Sequence, residues 1–418
     1  MVRSLSLLVL LASAAAVAAP EAKPIKIGIV TFLSGAAAGP FGVPARNGAE
    51  LITDELNAGK LPAPYSKKGF NGAPISLVFI DEAGGTTKQV SEYRDLVERQ
   101  NVDIVVGYIS SGDCLAVAPL AEELKKLTIF FDCGSPRIFE DASYHYVFRT
   151  DAHAAMDSVG AALYVTEMKP SLKKIAGINQ NYAWGQDSWS DFEAAVKTLK
   201  PSVEVTTSQM PKLLAGQYGA EISALLFGQP DVIHSSFWGG DTEAFVVQAA
   251  PRGVFQKSTV VLTAGETAMA RLGTQIPDGT VIGARGPHGI YAPDNPLSRW
   301  LNQAFLARYQ SAATYPAYHM AQALLGLKAA YEKAGSDAPE KVIAALEGST
   351  FETPSGTIKM ALGKGHQAIE ETVYGTTKTV NGKLTVVNVK RYPAGMVNPP
   401  EGQKSGEWIK ASLKRAAK

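Results

Sequence analysis

Cysteine is almost absent from this chain: Cys114 and Cys133 are the only two in 418 residues. One disulfide is the most it can form, and lone pairs of cysteines commonly join in an oxidising compartment; the alternative is two buried free thiols. A catalytic cysteine is argued against by the lack of a nearby His or Asn partner. Charge of one sign is also missing. Forty basic residues face thirty-nine acidic ones, which speaks against nucleic acid or an anionic membrane as the main partner, since both call for clustered positive charge. Beyond the N terminus no apolar run reaches the roughly eighteen residues of a membrane span. G-x-S-x-G, H-E-x-x-H and C-x-x-C are all absent. The six histidines, His145, His153, His234, His288, His319 and His366, stand singly. His153 and Asp157 share one helix face, but two groups are too few for a closed metal site. No metal and no cofactor is expected.

What is present begins with an export signal. Residues 1–3 are a short basic start, residues 5–11 and the alanines behind them an apolar stretch, and Ala16-Val17-Ala18 a small-residue cleavage site. Residues 1–18 are therefore expected to be removed; a cut after Ala19 would leave Pro20 first. No cysteine nearby can take a lipid anchor, so a free, soluble, exported product is expected. About 400 mature residues exceed what one core usually serves, and two domains follow.

Val- and Ile-rich strands alternate with amphipathic segments of helical length, the pattern of a parallel sheet covered on both faces. Strands are predicted at 25–30, 75–80, 104–106 and 128–131, with helices at 45–57, 87–100 and 115–126. After Thr150 the rhythm restarts, with helices at 153–168, 188–199, 219–226 and 242–250 and strands at 174–178, 203–207, 232–234 and 259–262. Two such series imply two similar lobes. Helices at 297–309, 317–334 and 339–347 follow, then a hairpin over 377–391 whose turn holds Asn381-Gly382. The tail after Pro399 reads as a weakly held end carrying at best a surface helix.

In open α/β sheets the ligand lies beyond the carboxyl ends of the strands, so the loops there matter most. Residues 34–42 are glycine-rich, but the spacing is not G-x-G-x-x-G and no Lys-Ser or Lys-Thr follows; Asp81 alone does not make a nucleotide site. Strand three ends in Gly107-Tyr108-Ile109-Ser110-Ser111-Gly112-Asp113 just before a helix, where hydroxyls and free N–H groups form an anion site. Strand four delivers Asp132-Cys133-Gly134-Ser135-Pro136 beside it. Any one of Ser111, Asp113 and Ser135 can be explained as a helix cap; two polar loops on adjacent strands favour a shared ligand. The second series offers Tyr182-Ala183-Trp184-Gly185, Phe237-Trp238-Gly239-Gly240-Asp241 and Gly265-Glu266-Thr267. Rings at loop positions suit the wall of a small-molecule cleft, with ordinary packing as the competing account of Tyr182 and Phe237.

This order of motifs resembles the leucine/isoleucine/valine-binding class of periplasmic solute-binding proteins, the receptors of ABC importers, also called type I binding proteins. The resemblance runs from Ile25 to about Val389. It is carried by Ser34-Gly35, Phe41-Gly42, Asn47-Gly48-Ala49, Val106-Gly107 through Ser111, Phe148-Arg149-Thr150, Tyr182-Ala183-Trp184-Gly185 and Phe351-x-x-Pro354-x-Gly356. It implies an α/β fold of two doubly wound parallel-sheet lobes joined by three crossovers around a ligand cleft. Lobe one is expected over 25–150 and 285–350 and lobe two over 151–284 and 351–418, with crossings near Thr150, Ala284 and Phe351.

The resemblance also implies roles. Ser111 and Ser135, with Ser110 and Gly134 beside them, hold a ligand carboxylate; Phe41 and Trp184, with Tyr182 and Trp238, form the wall; Glu266 fixes an α-ammonium, with Asp241 competing. The implied function is a periplasmic monomer that captures a small carboxylate-bearing solute, first of all a branched-chain or other apolar amino acid. Ligand closes the lobes, and an ABC permease reads the closed form. If neither acid reaches the site, a zwitterion is excluded by the cost of an unpaired buried ammonium, and an aromatic acid or an amide takes its place. A sensor subunit and a secreted hydrolase are the remaining alternatives.

Overall fold

The computed structural model describes residues 23–416, so the export signal lies outside the described residues. Val- and Ile-rich runs bounded by glycine and polar loops form the strands: β1 (Ile25–Thr31), β2 (Ile75–Asp81), β3 (Ile104–Gly107), β4 (Thr128–Phe130), β5 (Val147–Arg149), β6 (Lys174–Ile178), β7 (Glu204–Gln209), β8 (Val232–Ser235), β9 (Thr259–Leu262), β10 (Val281–Gly283), β11 (Thr350–Thr353), β12 (Gly356–Leu362), β13 (Gln367–Ile369), β14 (Thr372–Val380) and β15 (Lys383–Tyr392). One sheet has the order β11-β12-β13-β5-β4-β3-β1-β2, the other β15-β14-β10-β9-β8-β6-β7. The five strands from β1 to β5 pair in parallel, as do those from β6 to β10. Helices cover both faces, which is why β3, β4 and β8 are buried at every residue and read as unbroken apolar runs. Strand order reverses between β1 and β3 and between β6 and β8, and the loops leaving those strands face each other across the lobe boundary.

The chain passes between lobes three times, and the third passage corrects the sequence reading. Instead of crossing near Phe351, the segment from β11 to β13 completes the first sheet, with β13 lying parallel to β5. Phe351 packs into the first core, where a Cβ on Gly326 would come within 2.8 Å of its ring. The crossing falls at residues 370–371, between β13 and β14. β11 to β13 form an antiparallel edge with no helices between them, so no alternation of strand and helix announced which lobe they join.

The tail also departs from expectation. Helix Ser405–Ala416 buries Trp408, Ile409 and Leu413 in the second lobe's core and docks on helix Ala183–Leu199. At the β14–β15 turn, Asn381 and Gly382 both have positive φ, 50° and 75°, as a type I′ turn demands. Cys114, on helix Ser111–Glu123, and Cys133, just beyond β4, are bonded to each other and fully buried. Closing a loop with a sequence separation of 19 restricts the unfolded chain by about 3 kcal/mol in the loop-entropy account.

Candidate ligand site

A small cavity lies where the loops after β1, β3 and β4 meet those after β6, β8 and β9 and the second crossing. Its wall is aromatic. Phe41 sits edge-on to Trp238 at 5.4 Å and to Tyr315 at 5.3 Å between ring centroids. The Trp238 Nε1–H donates to the Tyr182 hydroxyl at 2.6 Å, and the Trp184 Nε1–H to the Ser236 carbonyl at 3.0 Å, so each indole is held in place by its one polar atom. The lobes also touch through backbone, with the Gly240 N–H donating to the Ala36 carbonyl at 3.0 Å.

The polar end is built from the first lobe and the hinge. Ser111 stands at the N terminus of its helix and accepts from the Gly134 and Ser135 N–H groups, both at 3.1 Å; this leaves its O–H to donate into the cavity. Gly134 has to be glycine, because a Cβ there would meet the Trp184 ring at 2.2 Å and an Arg285 nitrogen at 2.6 Å. Arg285, from the second crossing, places its Cζ over the Trp184 ring, 4.5 Å from the centroid. Its Nη1 is bonded to the backbone carbonyl and side chain of Asp132, its Nη2 to the Ala152 carbonyl and Asp151, and its Nε to Asp157. Arg285 therefore offers the cavity a charge and a flat face, with its N–H groups already engaged. Burial works against that charge, and the three carboxylates outweigh it. The same burial pushes Asp132 and Asp157 up to about 7 and Asp151 up to about 8, against the lowering pull of Arg285.

Of the residues singled out in the sequence, Phe41, Ser111, Gly134, Tyr182, Trp184 and Trp238 border the cavity together. Four others are placed elsewhere. Ser135 spends its hydroxyl on Asp187 of the second lobe at 2.6 Å. The Ser110 N–H donates to the buried Glu82 carboxylate at 2.7 Å. Asp241 ties down the loop before helix Gly219–Gly228, accepting from the Gln180 amide and the Leu214 N–H, each at 2.7 Å. Glu266 accepts from the Tyr315 N–H at 3.2 Å and presses on Gly289, and burial pushes it up to about 8. Phe237 is core, against Tyr218 and Phe245. Asp81 accepts from the Leu33 and Ala83 N–H groups and so shapes the first loop. Asp132, Arg285 and Tyr315 also border the cavity. Asp132 was within reach of sequence reasoning, being part of a loop already flagged; Arg285 and Tyr315 enter only through the folded crossings.

The sequence profile described as periplasmic binding protein matches residues 24–381. This chain belongs to that family. The solute-binding protein is 25% identical over 334 residues, 78% of this chain and 84% of the relative, to the leucine-, isoleucine-, valine-, threonine- and alanine-binding protein of Pseudomonas aeruginosa. Its fold is similar to a solute-binding protein of an R. palustris ABC transporter in complex with benzoate, with a TM-score of 0.77, 21% identity and coverage of 91% of this chain and 99% of the other. It is also similar to a leucine-binding protein from Thermotoga maritima, with a TM-score of 0.72, 18% identity and coverage of 87% and 98%. The architecture is thus the type I periplasmic one, and the chain is a solute-binding receptor of the ABC-transporter class. Its family and neighbours are binding proteins rather than enzymes. Among the described residues no helix is long and apolar enough to cross a membrane.

Proposed function

We propose that this receptor carries a small aromatic carboxylic acid to an ABC permease, its ring among Phe41, Tyr182, Trp184, Trp238 and Tyr315 and its carboxylate at Ser111 and the Arg285 charge. The observation that carries the reading is the placement of Glu266 and Asp241 outside the cavity lining, both committed to backbone N–H groups. An α-ammonium in the cavity would face Arg285 without either acid, with Asp132, already bonded to Arg285, as the one carboxylate of the lining, and a buried charge left poorly paired costs several kcal/mol. Neighbours of the same fold in complex with benzoate, 4-hydroxybenzoate and 3,4-dihydroxybenzoic acid add support.

One observation favours a second reading. Asp132 borders the cavity, and its Oδ2 is buried without a hydrogen-bond partner. That oxygen suits a donor, which makes a small amide, or an amino acid bonded at Asp132, the competitor.

The test is a thermal-shift and calorimetric panel on mature protein, unfolded and refolded to strip carried-over solute. Benzoate, 4-hydroxybenzoate, benzamide, leucine and valine form the panel. A ligand at a thousandfold over its Kd adds about 4 kcal/mol. A response to the benzoates with silence from leucine and valine is expected. Binding of leucine or valine alone would overturn the proposal, and binding of benzamide alone would move it to the second reading.

A further inference from the structure

The three crossings run side by side, and a second polar cluster lies among them, outside the cavity lining. His288 follows the second crossing, Glu370 sits on the third, and His319 faces both from helix Tyr315–Ala334. All three are buried, with 0%, 4% and 0% exposure for His288, Glu370 and His319. One donor atom from each lies within 4.8 Å of the other two. His288 Nε2 is 3.3 Å from Glu370 Oε2. Neither of these atoms, nor His319 Nε2, has a hydrogen-bond partner among the described residues.

The other face of each ring is occupied. His319 Nδ1 is 2.9 Å from Asp132 Oδ1, and His288 Nδ1 is 2.7 Å from Ser355 Oγ. The Asp132 carboxylate accepts from His319 Nδ1–H and so leaves Nε2 its lone pair; the Ser355 hydroxyl can donate to His288 Nδ1 or accept from it, and where it accepts the His288 Nε2 lone pair is free as well. In that arrangement three electron-pair donors stand close together, one from each residue within 4.8 Å of the other two, and one cation would answer them all. This is also how metal-binding histidines are oriented, by an outer carboxylate or hydroxyl on the far nitrogen. Gln322 donates to Glu370 Oε1 at 3.4 Å and holds that carboxylate from behind. Gly286 admits the His288 ring, since a Cβ there would lie 2.3 Å from its Nε2.

We propose that His288, His319 and Glu370 bind one divalent first-row transition-metal ion, Zn²⁺ by preference, at the hinge. Two imidazoles and a carboxylate match zinc, whereas Ca²⁺ and Mg²⁺ prefer oxygen-only shells. The ion ties the second and third crossings to helix Tyr315–Ala334 and stiffens the pivot between lobes. Through His319 it also fixes Asp132 at the edge of the ligand cavity. The proposal is independent of which solute the cavity takes.

The experiment titrates chelator-dialysed mature protein with Co²⁺ alone and reads the visible d–d bands, with displacement by Zn²⁺ and metal content per chain as second readouts. One equivalent is expected, with imidazole-type bands that Zn²⁺ abolishes. Glu370→Gln and His288→Gln should each weaken binding by more than about tenfold, and Ser355→Ala by about tenfold to a hundredfold as loss of an outer partner. His145→Ala, an exposed residue on Glu340, should change nothing. No saturable equivalent in wild type, or unchanged binding in Glu370→Gln and His288→Gln, would overturn the proposal. So would loss of binding only in Asp151→Asn, since Asp132, Asp151 and His319 form an overlapping cluster. If the core variants do not fold, X-ray absorption at the cobalt edge of wild type decides: two imidazoles in the shell uphold the site, and fewer reject it.

Discussion

Asp132 is the residue on which the ligand's charge should register. Its carboxyl is pushed up to about 7 by burial, against Arg285, and it borders the cavity beside Ser111. While ionised it repels a bound carboxylate; once protonated it can donate to one. Binding of a benzoate should therefore tighten as the pH falls from about 8 to about 6, with uptake of a proton, measurable by calorimetry in buffers of different ionisation enthalpy. A ligand bonded through an amine would show the opposite slope, and a flat profile would remove Asp132 from the ligand's reach. At this scale the sequence disclosed one side of the site better than the other. The aromatic rings and Ser111 stood in recognisable loops, each after a strand. Arg285, Tyr315 and His319 carried no local signal, because their meaning depends on segments far apart in sequence that meet only at the hinge. Glu266 and Asp241 misled for a related reason: an acid beside a cleft loop looks the same whether it points at solute or holds backbone.

Among elements, those with several turns or an apolar run were legible, the three-residue β4 among them, whereas β5, β10 and β13 were not. β5, β10 and β13 are too short to show a period, and without them the third crossing was misplaced. The C-terminal helix was hidden differently. Its basic, polar composition masked the i, i+3, i+4, i+8 stripe of Ser405, Trp408, Ile409 and Leu413, all buried. Trp408 is the anchor of that stripe. Trp408→Ala should cost roughly 3–5 kcal/mol of stability, the range for large-to-small changes in a core, read as a lower midpoint in denaturant. Solute affinity should stay unchanged, since no residue of that helix is among those bordering the cavity. An unaltered midpoint would return the tail to the status of a loosely held end.

At the scale of the molecule, the two lobes are latched by groups outside the cavity lining. Ser135 of the first lobe donates to Asp187 of the second, and Arg137 joins the same carboxylate. Removing the serine hydroxyl should favour the separated lobes and weaken solute binding by about 1.5–3 kcal/mol, the usual value of a hydrogen bond to a charge. Solution scattering of Ser135→Ala should show a larger radius of gyration at equal solute. An unchanged radius with weakened binding would instead mean that Ser135 contacts the solute directly. The late third crossing has a different consequence, for the order in which the protein is completed. Everything the first sheet needs has been made by Ile369, but the second sheet waits for β14 to cover β10. A chain clipped or stalled at that point owns one finished lobe and one with a bare strand edge, the kind of edge that recruits other chains. Quality control on this protein should therefore act on its last fifty or so residues, and a nick there should produce aggregates seeded by the second lobe while the first remains intact.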